Sequence, residues 1–208
     1  MHKLRLYIIR HGESDMNTQP HIVGGRSNQA NLTDVGVEQA RQAGRFLRSQ
    51  GIVPSHVYVS PARRTRHTAE HALATAGVSL VPIIDDALQE MSQGDWENQL
   101  RAETYTDAII QEITKTGKAF KAPGGESMID VGERMRAWVD DLAVRHKTGT
   151  VLVFGHGLAI RCLASILHDW THEKTRDEPL PNASVSLFVH EDNAWRLEYL
   201  GRETGVSA

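Results

Sequence analysis

The chain has a single cysteine, Cys162, among its 208 residues. One thiol cannot form an internal disulfide or a thiolate metal cluster, which is typical of proteins from a reducing compartment. No run reaches the roughly 20 apolar residues of a membrane-spanning helix, because His156 and Arg161 interrupt the longest candidate, residues 152–167. The first apolar stretch is too short for a secretory leader. We therefore expect a cytoplasmic protein with no membrane partner.

The sequence also lacks a strong excess of charge. It has 23 Lys and Arg against 26 Asp and Glu, and its formal net charge is −3. Nucleic-acid binders usually concentrate basic residues on one face, so we expect no nucleic-acid partner. Hydrophobic residues make up 40% of the chain, enough for a sizeable core, and neither repeats nor linker-like tracts divide it. We predict a single domain over residues 1–208, whose oligomeric state the sequence leaves open.

Strand-like and helix-like segments alternate along the chain. Strands are predicted at residues 4–9, 56–59, 79–84, 150–154, 185–189 and 195–199. Helices are predicted between Thr33 and Gly51, from Ser60 and Pro61 to Gly77, at residues 128–146 and from Gly157 onward. The polar segment at about residues 86–129 is predicted to be a helical insertion. This alternation predicts an α/β fold with a mostly parallel sheet, helices on both faces and an edge hairpin.

Cationic and hydrogen-bonding side chains collect at the ends of three predicted strands. They are Arg10, His11, Arg64 and His156. The carboxyl ends of parallel strands meet at one edge of a sheet, where loops and helix N-termini bind ligands. Guanidinium groups fit phosphate geometry well, so this combination favours a compact anion. Gly12 and Gly157 follow the two histidines directly, and we expect them to let a ligand approach the backbone closely.

A second histidine pattern suggests zinc. Residues 67–71 read His-Thr-Ala-Glu-His, which would bring two imidazoles one helical turn apart. Arg63, Arg64 and Arg66 lie within a turn of this pair and would oppose a bound dication. We therefore predict no metal site.

Six motifs resemble, in the same order along the chain, those of the histidine phosphatase superfamily, which includes the cofactor-dependent phosphoglycerate mutases. They are Arg10-His11-Gly12-Glu13-Ser14 with Asn17, and segments within residues 31–40, 60–69, 88–97, 124–127 and 155–161. Together they extend from the first strand to about residue 184. One Arg-His-Gly triplet is a weak signal, whereas the ordered set is specific. The resemblance implies a phosphoglycerate mutase-like fold.

The resemblance also implies catalytic roles. His11 would attack phosphorus and form a phosphohistidine, since a neutral imidazole is nucleophilic near pH 7 without a second base. Arg10, Arg64 and His156 would bind the phosphoryl oxygens and stabilise the developing charge. Asn17 would donate one further hydrogen bond. Because arginines supply the positive charge, no cofactor is required.

The remaining assignments concern the proton donor and further residues predicted to contact the substrate. The resemblance assigns proton transfer to Glu90, and Glu13 is a rival carboxyl two residues after the nucleophile. Gly24 and Gly157 are predicted to contact substrate. Arg26 either contacts a second anionic group or is solvated.

Departures from the family pattern bear on the reaction. The loop over residues 18–31 is a residue or two longer than usual, and Asn98 stands where the family usually has glycine. The insertion also lacks the longer acid-containing pattern of the mutases. We therefore expect a metal-independent phosphomonoesterase acting on a small phosphorylated metabolite. The alternatives are a cofactor-dependent phosphoglycerate mutase and a non-catalytic module that binds a phosphorylated ligand, although a binder has no use for the nucleophile or the acid.

Overall fold

A computed structural model describes residues 3–205. Its central sheet consists of β1 (Leu4–Arg10), β2 (His56–Val59), β3 (Ile83–Ile84), β4 (Gly149–Gly155), β5 (Val185–Glu191) and β6 (Ala194–Arg202). The strand order is β3-β2-β4-β1-β5-β6. The first four strands in this order run parallel, and β5 and β6 form an antiparallel hairpin at the other edge. The predicted α/β architecture with a mostly parallel sheet and an edge hairpin is confirmed.

Helices cover both faces of the sheet. They are α1 (Asp34–Ser49), α2 (Arg63–Ala76), α3 (Arg101–Thr104), α4 (Asp107–Thr116), α5 (Met128–Arg145), α6 (Gly157–His168) and α7 (His172–Asp177). Along β4, Val151 and Val153 pack into the core cluster that holds α5 and α6. Leu152 and Phe154, on the opposite face, pack with α1 and α2. Residues 151–154 of β4 are buried on both faces of the sheet, which explains why they form a continuous apolar run.

Local end signals position three of the helices. The Thr33 side chain accepts a hydrogen bond from the amide of Gly36 and caps α1. Gly77 takes a left-handed conformation with φ 76° and ends α2. Ser127 and Asp130 form a reciprocal capping box at the start of α5. The predictions for α1, the end of α2 and α5 are confirmed.

The predicted start of α2 is wrong. The helix begins at Arg63, and Ala62 precedes it without a side-chain cap. The Ser60 hydroxyl instead forms a hydrogen bond of 2.7 Å with Nε2 of His156. A long-range contact thus uses the side chain that local preference assigned to the helix N-terminus.

The predicted strand at residues 79–84 is mostly wrong. Only Ile83 and Ile84 pair with the neighbouring strand β2. Val81 in this segment is 86% exposed, so an apolar side chain here does not mark a buried strand. A β-rich run on its own does not distinguish an extended surface segment from a paired strand.

The insertion at residues 86–129 is helical in part, as predicted. Besides α3 and α4, it contains short 3₁₀ helices at Asp86–Leu88, Gly94–Trp96 and Gly117–Ala119. Helix α7, capped by Thr171, was not predicted, because its six residues show no apolar periodicity. Of the described helices, none has the length and hydrophobicity required to cross a membrane.

Candidate active site

A cavity of about 330 Å³ opens at the carboxyl ends of β1 and β4, and we call it the site cavity. Seven residues singled out from the sequence line it: Arg10, His11, Asn17, Gly24, Arg64, Glu90 and Gly157. His156 lies directly behind the lining, with its ring centroid 5.4 Å from that of His11. The structure therefore brings all eight predicted residues together.

His11 is buried, and one ring nitrogen has a defined partner. Its Nδ1 lies 2.7 Å from the carbonyl oxygen of Gly12. A carbonyl only accepts hydrogen bonds, so Nδ1 carries the proton and Nε2 keeps its lone pair. Burial lowers the pKa of His11 well below its ordinary value, and the charges of Arg64 and Arg10 lower it further. The imidazole is thus held neutral, with its nucleophilic nitrogen unprotonated at neutral pH.

His156 is completely buried and has the opposite tautomer. Its Nδ1 lies 3.1 Å from a guanidinium nitrogen of Arg64, which can only donate. Nε2 must then carry the proton and donate it to the Ser60 hydroxyl at 2.7 Å. Burial lowers the pKa of His156 well below its ordinary value, and the charge of Arg64 lowers it further. Both ring nitrogens of His156 are thus hydrogen-bonded within the protein, and His156 does not line the site cavity. The predicted direct contact with the phosphoryl oxygens is therefore corrected: His156 is a neutral acceptor that orients Arg64.

Arg64 is almost fully buried and connects the loop over residues 18–31 to the site cavity. Its guanidinium donates to the carbonyl oxygens of Ser27 at 2.7 Å and Arg26 at 2.9 Å. Burial lowers its pKa, while the charge of Glu90 acts in the opposite direction. A buried cation that faces a cavity favours an anionic ligand there, because the ligand restores the interactions that water would have supplied.

Arg10 brings a second, partly buried cation to the cavity. One of its terminal nitrogens donates to the carbonyl oxygen of Leu180. Its Nε is buried without a partner in residues 3–205, so it is a donor available to a ligand. Burial lowers the pKa of Arg10, and the charge of Glu90 opposes this effect. A Cβ at Gly157 would lie 3.1 Å from Nε, so the glycine there gives room to the Arg10 side chain.

The Glu90 carboxyl group is fixed at the N-terminus of α6. Its oxygens accept hydrogen bonds from the amides of Leu158 at 3.1 Å, Ala159 at 2.9 Å and Met91 at 2.9 Å. It faces the site cavity in this position. The rival carboxyl of Glu13 instead accepts a hydrogen bond of 2.7 Å from the Thr33 hydroxyl, beside the start of α1.

Asn17 is oriented by its side-chain oxygen. This oxygen accepts hydrogen bonds from the Ser14 amide at 3.0 Å and from Asn182 at 3.3 Å. The amide nitrogen is thereby left to donate to a ligand. A Cβ built on Gly24 would meet nothing within 4 Å, so this stretch of the cavity wall is open.

The expectation for Gly12 is wrong. A Cβ at Gly12 would lie 2.3 Å from the carbonyl oxygen of Gly36, and a Cβ at Gly36 would lie 2.0 Å from that of Glu13. Gly12 is needed because the loop after β1 packs against α1, rather than because a ligand approaches it.

Sequence reasoning left several nearby residues unassigned. Arg101 and Arg161 line the site cavity. Arg161 belongs to one of the family-like motifs, whereas Arg101 lies in the insertion, where no motif marks it. Arg26 is 3.5 Å from Glu126 in an ion pair, so it is neither simply solvated nor part of the cavity lining. Ser60 was interpreted only as a helix cap.

The zinc-like pair His67 and His71 lies on α2. Among residues 3–205, no three or more histidine, cysteine, aspartate or glutamate side chains are grouped so that they could hold a metal ion.

Comparisons with known proteins agree with this geometry. The family model for the histidine phosphatase superfamily, branch 1, matches residues 6–203. The probable phosphoglycerate mutase GpmB of Erwinia tasmaniensis is 32% identical over 198 residues, covering 92% of this chain and 87% of the relative.

Two solved structures resemble the whole fold. Mycobacterial glucosyl-3-phosphoglycerate phosphatase is 25% identical, with a TM-score of 0.81, over 96% of this chain and 99% of the other. That phosphatase has also been solved with inorganic phosphate. A putative alpha-ribazole-5'-P phosphatase from Escherichia coli is 25% identical, with a TM-score of 0.81, over 98% of this chain and 99% of the other. The chain has a phosphoglycerate mutase-like fold and belongs to branch 1 of the histidine phosphatase superfamily.

Proposed function

We propose that this enzyme is a metal-independent phosphomonoesterase that hydrolyses a small phosphate ester. The observation that carries the proposal is the state of His11, which is buried, neutral and protonated on Nδ1. It lies beside a cavity lined by the buried Arg64, the partly buried Arg10 and the carboxyl group of Glu90. Nucleophile, anion-binding groups and proton donor then occupy one site, as a covalent mechanism requires.

In the first step, Nε2 of His11 attacks phosphorus and the ester P–O bond breaks. Arg10 and Arg64 bind the non-bridging oxygens and neutralise the charge that spreads over them in the transition state. His156 holds the Arg64 guanidinium in place, and Asn17 donates a further hydrogen bond. The products of this step are a phosphohistidine and the alcohol.

Glu90 handles the protons of both steps. In its protonated form it gives its proton to the departing ester oxygen, because an alkoxide leaves poorly without one. The resulting carboxylate then takes a proton from water, whose oxygen attacks phosphorus and breaks the P–N bond. Inorganic phosphate is released, and Glu90 regains its proton.

A phosphoglycerate mutase is the second candidate, and the identity to the probable mutase of Erwinia tasmaniensis favours it. A mutase must protect its phosphohistidine from water long enough to return the group to an alcohol. The insertion here lacks the longer acid-containing pattern of the mutases, and the phosphatase names of the two solved relatives support hydrolysis. A module that only binds phosphorylated ligands would not need Glu90 beside the nucleophile.

The test is a product assay over sugar phosphates, phosphoglycerates, nucleotides and phosphopeptides, run with and without EDTA. We expect phosphate release that the chelator leaves intact. Interconversion of 2- and 3-phosphoglycerate without phosphate release would instead identify a mutase. Loss of activity in EDTA that zinc or magnesium restores would contradict metal independence.

A further inference from the structure

A second cavity of about 350 Å³ adjoins the site cavity, and we call it the side cavity. Arg101, Leu158 and Arg161 line both cavities. The amide of Leu158 also donates to the carboxyl group of Glu90. The side cavity therefore begins next to the carboxyl group that we propose protonates the departing oxygen, which is where a leaving group would lie.

The far wall of the side cavity is apolar and aromatic. Tyr105, Ile113 and Phe120 contribute to it. Trp96 packs behind this wall, with ring centroids 5.4 Å from Tyr105 and 5.6 Å from Phe120. Because the rings already pack against one another, their side chains lose little conformational entropy when a ligand binds. The volume of the side cavity lies within the range of small-molecule sites. The wall suits an apolar body.

The junction of the two cavities is cationic. Within residues 3–205, no Asp or Glu lines the side cavity, and neither Arg101 nor Arg161 forms an ion pair. Arg161 donates from one terminal nitrogen to two backbone carbonyls, and its Nε is buried without a partner in the same part of the chain. Arg176, in contrast, is paired with Asp177 at 2.7 Å. Since Arg10 and Arg64 serve the phosphoryl group, Arg161 is available for a second anion.

We propose that the side cavity receives the leaving group of the ester, and that this group is an apolar body carrying one carboxylate bound by Arg161. The inference rests on the proposed phosphatase function and specifies its substrate class. The carboxylate lies at the junction, while the body extends toward Ile113 and Phe120. His172 lines the same cavity, and both its ring nitrogens are buried without a partner in residues 3–205, so it offers a hydrogen bond to the body.

The first test compares 3-carboxyphenyl phosphate with phenyl phosphate. The two leaving groups have similar bodies, so the ratio of their kcat/KM values isolates the carboxylate. A hydrogen-bonded charge pair predicts a ratio of about 10 to 100 for the wild type. Arg161→Met should bring the ratio close to one, and Arg161→Lys should restore part of it. Arg66→Met, an exposed arginine on α2, is the matched control and should keep the wild-type ratio.

The second test concerns the apolar wall. Ile113→Ala and Phe120→Ala should each lower kcat/KM for phenyl phosphate relative to methyl phosphate by about 3- to 30-fold, through lost apolar contact. Methyl phosphate does not reach the wall, so a variant that is merely misfolded would lose both activities together. Two substitutions on different elements guard against one failing to fold.

Binding separates failure of the inference from failure of the phosphatase assignment. The same aryl esters are titrated against His11→Ala, which cannot turn them over. Selective binding of the carboxylated ester through Arg161, with no turnover by the wild type, would support the side cavity and refute the phosphatase. Turnover with a wild-type ratio near one, or with a ratio that survives Arg161→Met, would overturn the inference and leave the phosphatase standing. Neither turnover nor selective binding would refute both.

Discussion

Replacing Glu90 by glutamine tests the proton donor. We expect Glu90→Gln to slow phosphoenzyme formation from an alkyl phosphate by 10²- to 10⁴-fold, the usual contribution of a general acid. At about 1.4 kcal/mol for each factor of ten, this raises the barrier by about 3–5 kcal/mol. An aryl phosphate with a good leaving group needs little protonation and should be phosphorylated at a nearly normal rate.

The structure also predicts a stability cost for this variant. Both oxygens of Glu90 accept hydrogen bonds from amides, including those of Leu158 and Ala159 at the start of α6. A glutamine replaces one acceptor oxygen with an NH₂ group, which leaves a buried amide without its partner. The expected loss is about 1–3 kcal/mol in the free energy of unfolding. Urea unfolding must therefore show that the variant is folded under assay conditions.

The assay is rapid-quench measurement of the phosphoenzyme burst with an alkyl and an aryl phosphate. The burst is required because Glu90 also activates water in the second step, which slows the steady state for both substrates. Glu13→Gln is the matched control, since the Glu13 carboxyl contacts Thr33 beside α1. Equal slowing of both bursts in Glu90→Gln would refute the leaving-group role. Selective slowing of the alkyl burst in Glu13→Gln would identify the other carboxyl as the acid.

Three further predictions concern stability and the support of the site. The pKa values of His11 and His156 are lowered in the folded state, so below about pH 6.5 the unfolded chain binds more protons than the folded one. The free energy of unfolding should therefore fall by up to about 1.4 kcal/mol for each histidine with each pH unit that the pH is lowered. Urea midpoints that do not change between pH 7 and pH 5 would contradict this. Gly36→Ala, whose Cβ would lie 2.0 Å from the Glu13 carbonyl oxygen, should lose about 1–3 kcal/mol, and an unchanged Tm would refute the close packing. Ser60→Ala leaves the buried Nε2–H of His156 without an acceptor and should lower the free energy of unfolding by about 1–3 kcal/mol, measured with urea. The KM for the ester should also rise, because His156 orients Arg64. A variant with both wild-type stability and wild-type KM would exclude the contact.

Much of the fold could be predicted from the sequence because its signals are local or periodic. Some signals lie within a few residues of the element that they predict, such as the apolar run of β4, the Thr33 cap of α1 and Gly77 at the end of α2. The predictions failed where distant contacts decide. Ser60 has a good capping side chain, yet its hydroxyl is used by His156, which lies 96 positions away in the chain.

The features of the site also divide into those that local sequence signals predict and those that depend on distant contacts. Strand ends and family-like motifs are enough to predict that Arg10, His11 and His156 converge. The tautomers are not predictable, because they depend on which atoms the two imidazoles face across the fold. Arg101 could not be found either, since it comes from the insertion and reaches the cavity only through tertiary packing. The cytoplasmic location and the single-domain organisation stay predictions.

Trapping the phosphoenzyme tests the central claim most directly. The protein is quenched during turnover of a ³²P-labelled ester, and the labelled residue is identified by peptide mapping. We predict an acid-labile, alkali-stable phosphoryl group on Nε2 of His11 in the wild type and no label in His11→Ala, which should still bind inorganic phosphate through Arg10 and Arg64. Label on any other residue, or turnover by His11→Ala at the wild-type rate, would contradict the account.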